Sequence, residues 1–175
     1  MTTLTATLAA PTVAVHASFL AAVIEYQGED RCTDLDVNLL TAPDGFAAHV
    51  ALLDAEALPD TPRPAGIVAQ TTLWWVDGAE FLGRISIRHH LTEALRQVGG
   101  HIGYDIRPTA RRRGHATAML RAALPVAARL GINPALITCD VDNVASRRVI
   151  EANGGRPDQP GEGKLRFWVP TSSRL

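Results

Sequence analysis

The stretch Arg111-Arg112-Arg113-Gly114-His115-Ala116-Thr117 separates an extended segment from a long predicted helix, and it determines how the rest of the chain is interpreted. Pro108 lacks a backbone N–H group and disfavours helix at the residue before it, so it marks the end of the extended segment. At the helix start, unpaired N–H groups and the positive end of the helix dipole favour an anion. Three arginines add long-range attraction for a polyanion. We call residues 111–117 the cradle and predict that it binds phosphates.

Length and composition favour one ordinary globular domain covering residues 1–175. The net charge of -1 argues against a nucleic-acid partner, because such proteins are clearly basic. No apolar run approaches the roughly 20 residues of a membrane span. The start of the chain, Met1 to Pro11, lacks the basic region of a signal peptide, so a cytoplasmic location is expected. Cys32 and Cys139 match no metal-ligand spacing and suit a reducing compartment, so no metal is expected.

Apolar periodicity and the positions of glycine and proline predict the secondary structure. Helices are expected at residues 16–26, 45–58, 114–130 and 143–153. Strands are expected at residues 67–76, 80–89, 100–106, 136–139 and 164–169, with residues 91–99 as a connection. The order is two helices, then strands, then β-α-β-α-β, which predicts an α/β (α+β) fold around a mixed sheet.

Two common phosphate-binding motifs do not match the cradle. A Walker loop requires a Gly-Lys-Ser/Thr ending, which is absent. A Rossmann fingerprint requires three spaced glycines and an acidic residue about 20 positions later, whereas the cradle contains Gly114 alone. The phosphate ligand is therefore expected to belong to another class.

The segments around the cradle resemble one known family. The preceding strand ends in Gly103-Tyr104-Asp105-Ile106, and Ile137-Thr138-Cys139-Asp140, Asn143-Val144-Ala145-Ser146 and Glu151-Ala152-Asn153-Gly154-Gly155 follow the helix. In this order the chain resembles the GNAT superfamily of acyl-CoA-dependent N-acyltransferases, over roughly residues 73–169. The resemblance implies a mixed, mostly antiparallel sheet of roughly six or seven strands, flanked by about four helices and splayed at the acetyl-CoA site.

The resemblance also implies how acetyl-CoA, the co-substrate, is held. The N–H groups from Arg112 to Thr117 would bind the CoA pyrophosphate, and backbone groups of Tyr104 and Ile106 would pair with the pantetheine arm. One of those N–H groups would polarise the thioester carbonyl. The implied CoA-binding residues are Ile106, Arg111, Arg112, Arg113, Gly114, His115, Ala116, Thr117, Asn143 and Ser146. The alternatives are a solvated arginine surface and an Asn143 that only caps the next helix.

The acid–base residues do not follow the family pattern. Members often use a tyrosine near the end of the helix after the asparagine, and this chain has Ile150 at that position. The strand position that often holds a glutamate base is Gly100. His101 and Tyr104 are the catalytic candidates that remain, although strand alternation places them on opposite faces. Each also has a structural interpretation, as a strand histidine and a core aromatic residue.

The acceptor is predicted from an acidic segment near the N-terminus. Five carboxylates lie close together in the sequence, which favours a cationic substrate unless the segment is simply solvated. They are Glu25, Glu29, Asp30, Asp34 and Asp36. Trp74 and Trp75 alternate faces, so one of them is expected to line the substrate cleft. The expected substrate-binding residues are Glu25, Glu29, Asp30, Trp74 and Arg88.

Three functions are consistent with these features. The leading hypothesis is an N-acetyltransferase for a primary amine of a small cationic molecule, such as an aminoglycoside-type antibiotic. The second is a protein acetyltransferase acting on an N-terminus or a lysine, and the third is a non-catalytic acyl-CoA sensor. The expected partners are a small-molecule amine and a second copy of the chain as a homodimer, with neither nucleic acid nor membrane.

Overall fold

The structure, a computed structural model, describes residues 5–161 and 163–172. Its helices are α1 (His16–Gln27), α2 (Val37–Thr41), α3 (Pro43–Ala55), α4 (Glu93–Gln97), α5 (His115–Arg129) and α6 (Val144–Ala152). Its strands are β1 (Thr7–Ala9), β2 (Gln70–Asp77), β3 (Glu80–Arg88), β4 (Ile102–Ile106), β5 (Ala135–Asp140), β6 (Arg156–Pro157) and β7 (Lys164–Val169). Residues 1–4, Glu162 and 173–175 of the predicted domain lie outside this description.

The strands form two sheets instead of one continuous sheet. The first has the order β1-β2-β3-β4 and the second the order β5-β7-β6, with antiparallel neighbours throughout. The sheets meet at an isolated bridge between Gly100 and Ile137. The α/β class, the largely antiparallel pairing and the splay are confirmed.

The long elements that the sequence predicts are present in the structure. The short helices α2 and α4 were not predicted. The strand predicted at residues 164–169 is β7 without change, and the hairpin strands are β2 and β3. The predicted connection at residues 91–99 contains α4, whose five residues are too few to show helical periodicity. The helix α2 is equally short and begins where the Asp36 carboxylate accepts from the Asn38 N–H group at 2.9 Å.

Two apolar clusters lie on opposite faces of the first sheet. On one face α5 packs through residues such as Met119 and Leu120. On the other face α1 and α3 pack through Phe19 and Phe46. Trp75 belongs to the first cluster and Trp74 to the second, as strand alternation predicts.

The split between the sheets begins at Gly100. Its φ angle is +61°, and a Cβ atom there would lie 2.4 Å from the carbonyl oxygen of Leu136. The His101 N–H group donates to that same oxygen at 2.7 Å. Beyond this junction β4 and β5 form no ladder, so the far edge of β4 carries free backbone groups. Close backbone approach at a glycine therefore sets the point from which the sheets diverge.

None of the helices formed by the described residues has the length and apolar character needed to cross a membrane.

Candidate active site

A cavity of about 600 Å³ lies between the end of β4, the cradle and the start of α6. It is lined by Arg31, Tyr104, Asp105, Ile106, Ala110, Arg111, Arg112, Gly114, His115, Ala116, Thr117, Asn143, Ala145, Ser146, Arg148 and Val149. Apart from Arg113, the structure therefore brings together all the residues expected to bind CoA. Segments far apart in sequence meet here because the sheets have separated.

The cradle is a turn followed by the first turn of α5. A short 3-10 turn at Pro108–Ala110 precedes it, and both Arg112 (φ 58°) and Gly114 (φ 84°) adopt left-handed conformations. In the described part of the chain, the backbone N–H groups of residues 112–117 find no backbone acceptor. Consecutive unpaired donors at a helix start form an anion site, which fits a pyrophosphate group.

The arginines of the cradle have different surroundings. The Arg111 guanidinium donates to both Glu29 carboxylate oxygens, at 2.9 and 2.8 Å, and its Nε donates to the Ile106 carbonyl at 3.0 Å. Arg112 and Arg113 are exposed, and Arg112 lines the cavity. Arg111 therefore fixes the shape of the cradle, and the expectation that its guanidinium serves the phosphates is corrected.

His115 is a core residue at the base of the cradle. Its side chain is buried, and its Nδ1 accepts a hydrogen bond from the Trp75 indole N–H group at 3.1 Å. Burial, followed by the charge of Arg113, lowers the pKa of His115, so the ring favours its neutral form. Because a buried neutral ring supplies no positive charge, we expect the backbone N–H group of His115, and not its ring, to bind the phosphates.

The free edge of β4 faces the cavity. The His101 carbonyl and the Arg107 N–H group bond to β3, so alternation also directs the backbone groups of Gly103 and Asp105 toward β3. The backbone groups of Tyr104 and Ile106 consequently point away from β3. The Tyr104 backbone groups and the Ile106 N–H group therefore suit the pairing with the pantetheine arm that the resemblance implies, whereas the Ile106 carbonyl already accepts from Arg111 Nε.

A hydroxyl pair links β4 to α6 across the cavity. The Tyr104 hydroxyl lies 2.8 Å from Ser146 Oγ, and burial raises the pKa of Tyr104 to about 12. The Asn143 side-chain carbonyl accepts from the Ser146 N–H group at 3.0 Å and caps α6. Among the described residues, the Asn143 amide nitrogen has no partner, so it remains available as a donor.

His101 lies outside this cavity. Its Nδ1 accepts from the Leu136 N–H group at 2.9 Å, and the residue lines a separate hollow with His89 and His90. Burial and the charges of Arg96 and Arg88 lower its pKa. The geometry gives His101 a structural role at the junction of the sheets, which corrects its assignment as general base.

The acidic segment expected to bind a cationic substrate is largely occupied. Glu25 accepts from Arg107 Nε at 3.1 Å and from the Thr109 N–H group at 3.1 Å. Burial opposes its ionisation, but these hydrogen bonds outweigh burial and hold its pKa below the ordinary value. Glu29 pairs with Arg111, which lowers the pKa of Glu29. Both are therefore corrected from substrate ligands to partners of the cradle and its preceding turn, whereas Asp30 is exposed.

Trp74 is not placed to contact a substrate. Trp74 is 0% exposed and stacks on Phe19 with ring centroids 4.9 Å apart. Arg88 donates to the Gly99 and Gly100 carbonyls at 3.2 and 3.1 Å, and burial lowers its pKa. Trp74 is thus a core residue, which corrects that expectation. Arg88 braces the sheet junction, and a contact between Arg88 and a substrate stays a prediction.

Sequence reasoning missed an ion pair at the cavity wall. Arg31 Nη2 lies 2.6 Å from Asp105 Oδ2, and both residues line the cavity. Burial raises the pKa of Asp105, against the opposing charges of Arg31, Arg84 and Arg111. Alternation in β4 could have identified Asp105, because it places this carboxylate on the face opposite Tyr104. Nothing in the sequence pairs it with Arg31.

We name the surroundings of this pair the polar cleft: the face of β3 and β4 that carries Arg84, Ser86, Gly103 and Asp105, with residues 28–36 lying over it. The register pairs Arg84 with Asp105 and Ser86 with Gly103, which places them on one face. The Arg84 guanidinium also donates to Cys32 Sγ at 3.0 Å. The polar cleft and the cavity thus adjoin at Asp105.

No group of three or more His, Cys, Asp or Glu side chains within residues 5–161 and 163–172 could hold a metal ion. The residues present do fit CoA: unpaired N–H groups for its pyrophosphate, exposed Arg112 and Arg148 near the phosphates, and a free strand edge for its arm. The neighbouring Arg147 pairs with Glu151 at 2.8 Å.

Solved structures with a similar fold are acetyltransferases. RimJ of Mycobacterium smegmatis, in complex with CoA-disulfide, has a TM-score of 0.64 and 20% identity, covering 94% of this chain and 80% of that one. The ribosomal L7/L12 alpha-N-protein acetyltransferase RimL, in complex with coenzyme A, has a TM-score of 0.61 and 18% identity, covering 98% and 97%. The microcin C7 self-immunity acetyltransferase MccE, with acetyl-CoA and AMP, has a TM-score of 0.64 and 11% identity, covering 95% and 92%.

A search of the curated proteins finds no match. The family model of the GNAT acetyltransferase domain matches residues 47–156, which is more than half of the chain. That range includes β4, the cradle and α6, the elements that enclose the cavity. The chain therefore belongs to the GNAT family and is an acetyl-CoA-dependent N-acetyltransferase.

Proposed function

We propose that this enzyme acetylates the free N-terminal amine of a peptide or protein. This is the second of the hypotheses drawn from the sequence, and it replaces the aminoglycoside as the leading acceptor. The similar fold of RimL, the ribosomal L7/L12 alpha-N-protein acetyltransferase, supports the same class of acceptor. At an identity of 18% that likeness concerns the fold, so the charges of the site carry the proposal.

The observation that carries it is that three of the five carboxylates of the acidic segment, Glu25, Glu29 and Asp36, are already engaged within the fold. Glu25 and Glu29 are paired with Arg107 and Arg111, and the Asp36 carboxylate caps α2. A polycationic aminoglycoside gains most from several free carboxylates converging on one site. A peptide N-terminus carries a single ammonium group and needs one carboxylate, and Asp105 lies between the polar cleft and the cavity.

In this scheme, few residues of the chain take part in proton transfer. Acetyl-CoA supplies an acetyl thioester, and a neutral amine attacks its carbonyl carbon. We assign Tyr104 as the acid that protonates the departing sulfur, because the residue lines the cavity and a phenol is protonated at neutral pH. A backbone N–H group at the free edge of β4 would stabilise the oxyanion, and losing such a donor typically costs about 10²–10³ in rate.

An acceptor panel tests the proposal. Free thiol released from acetyl-CoA is measured with a short peptide beginning in serine, with the same peptide blocked at its N-terminus but carrying a lysine, and with an aminoglycoside. We expect kcat/KM for the free N-terminus to exceed the other two by at least about tenfold, which corresponds to 1.4 kcal/mol. Mass spectrometry should locate the acetyl group on the α-nitrogen.

Each remaining result selects another function. Turnover of the blocked lysine peptide alone would make the enzyme a lysine acetyltransferase. Preferred turnover of the aminoglycoside would restore the small-molecule hypothesis. Tight acetyl-CoA binding without turnover of any acceptor would indicate the acyl-CoA sensor.

A further inference from the structure

The Arg31–Asp105 ion pair joins a buried carboxylate to a cation that reaches in from solvent. The Asp105 side chain is 11% exposed, whereas that of Arg31 is 50% exposed. Asp105 belongs to β4, whereas Arg31 belongs to the segment after α1. A cation that is half in solvent can leave such a pair without exposing apolar core.

The segment that carries Arg31 adopts unusual backbone conformations. Asp30 and Cys32 have φ angles of 56° and 54°, in the left-handed region that residues other than glycine rarely adopt. The segment is tied to its surroundings by hydrogen bonds from the Arg84 guanidinium to Cys32 Sγ and from the Gln27 amide to the Leu35 carbonyl, at 3.0 and 2.8 Å. These contacts fix the backbone on either side of Arg31, whereas the Arg31 side chain is held by the Asp105 carboxylate.

The carboxylate is also close to where the thioester would lie. Asp105 lines the cavity and directly precedes Ile106, whose N–H group points away from β3. That N–H group belongs to the free edge of β4, along which the pantetheine arm is expected to lie. Asp105 thus adjoins the CoA cavity and the polar cleft at once.

We propose that the Asp105 carboxylate binds the acceptor's ammonium group, and that Arg31 occupies this site until the acceptor displaces it. The inference rests on the proposed N-acetyltransferase reaction but holds for any primary amine. Guanidinium and ammonium groups both donate N–H bonds to a carboxylate.

The reaction balances through this site. The Asp105 carboxylate takes one proton from the bound ammonium group and later releases it to water. The neutral amine then forms the C–N bond as the C–S bond breaks. The second proton lost by nitrogen replaces the one that Tyr104 gives to sulfur, so the products are the amide, CoA thiol and one proton in solution. No oxidant or further reactant is needed.

Replacing Arg31 tests the displacement. For Arg31→Gln we expect the KM of the acceptor to fall about fivefold at pH 8, which is near the upper limit for a half-exposed ion pair. The acetyl-CoA KM should not change, and Arg31→Lys should retain the KM of the unmodified enzyme because it keeps the charge. Asp105→Asn should lower kcat/KM about 10²-fold, as loss of a proton acceptor does.

The pH profile separates this role from a structural one. The groups facing Asp105 are Arg31 from the segment after α1, Arg84 from β3, Arg111 from the cradle, and Tyr26 and Cys32. Asp105 acts when ionised, so activity is lost as pH falls through its pKa. Because Arg31 lowers that pKa, Arg31→Gln should shift the acid limb of kcat/KM to higher pH.

An unchanged or raised acceptor KM in Arg31→Gln, with an unmoved acid limb, would overturn the inference and make Arg31 a structural brace. The comparison uses one acceptor throughout, so it stands whichever amine the panel selects. A panel without turnover would reject the proposed function instead. Calorimetric binding of the serine peptide in the presence of CoA would then decide this inference, with the same fivefold tightening expected in Arg31→Gln.

Discussion

The cradle and the polar cleft adjoin, but they are built from different kinds of groups. The cradle offers consecutive backbone N–H groups from residues 112–117, set by one turn and one helix start. The polar cleft offers side chains from β3, β4 and the segment after α1, brought together only by folding. A backbone site depends little on the identity of most of its residues, whereas a side-chain site depends on each one.

This contrast explains why the cofactor site could be predicted from the sequence and the acceptor site could not. Glycine and proline signals report local conformation, and local conformation is sufficient to make an anion site. Ion pairs such as Glu25–Arg107 join residues 82 positions apart, and no local signal predicts them. Because of such pairs, carboxylates that were predicted to bind a substrate support the turn that precedes the cradle.

The largest effect should come from placing a carboxylate in the cradle. In Gly114→Glu we expect the Kd of acetyl-CoA to rise about 10³-fold, from left-handed strain of roughly 1–3 kcal/mol and repulsion of the phosphates. Isothermal calorimetry measures it. Gly131→Glu is the matched control, because Gly131 follows α5 with φ 78° and open space around its Cβ position. Equal losses in both variants would show that α5 stability, and not the cradle, controls binding.

The next largest effect should come from Tyr104, at the boundary between the cradle and the polar cleft. In Tyr104→Phe we expect kcat to fall about 10²-fold with the acetyl-CoA Kd unchanged, as for loss of a general acid. Ser146→Ala removes only the partner of the Tyr104 hydroxyl and should cost less than about tenfold. Because the acid must be protonated, its contribution is present below its pKa and lost as pH rises through about 12. Stopped-flow thiol release checks kcat, and a wild-type rate in Tyr104→Phe would exclude this residue.

The smallest effect should be on stability, at the junction from which both regions diverge. Gly100→Ala places a Cβ atom 2.4 Å from the Leu136 carbonyl, whereas Gly78→Ala, at φ 58°, meets nothing within 4 Å. Both variants carry the left-handed cost, so the difference isolates the clash, which we expect to be about 2 kcal/mol. Urea unfolding followed by circular dichroism measures it. Equal stabilities would mean that the two sheets can separate at Gly100 without cost.

Much of the fold could be predicted because its long elements have strong periodic patterns. The strand β7 was predicted with its observed ends, and α1, α5 and α6 within a residue or two. The elements α2 and α4 have five residues each and could not be, since one helical turn shows no periodicity. Among the predicted site residues, those of the cradle other than Arg113 line one cavity, whereas His101 lines another hollow and Trp74 lies in the core.

The sequence by itself determined the family, the phosphate-binding turn and the absence of the usual residues at Gly100 and Ile150. These features are local, because they depend on which residues permit a turn, a helix start or a close backbone approach. Only the tertiary structure decided which charges are available. It paired Glu25 and Glu29 with arginines, buried His115 against Trp75, and set Arg31 on Asp105. Charge availability depends on distances across the fold, and a linear pattern carries no information about them.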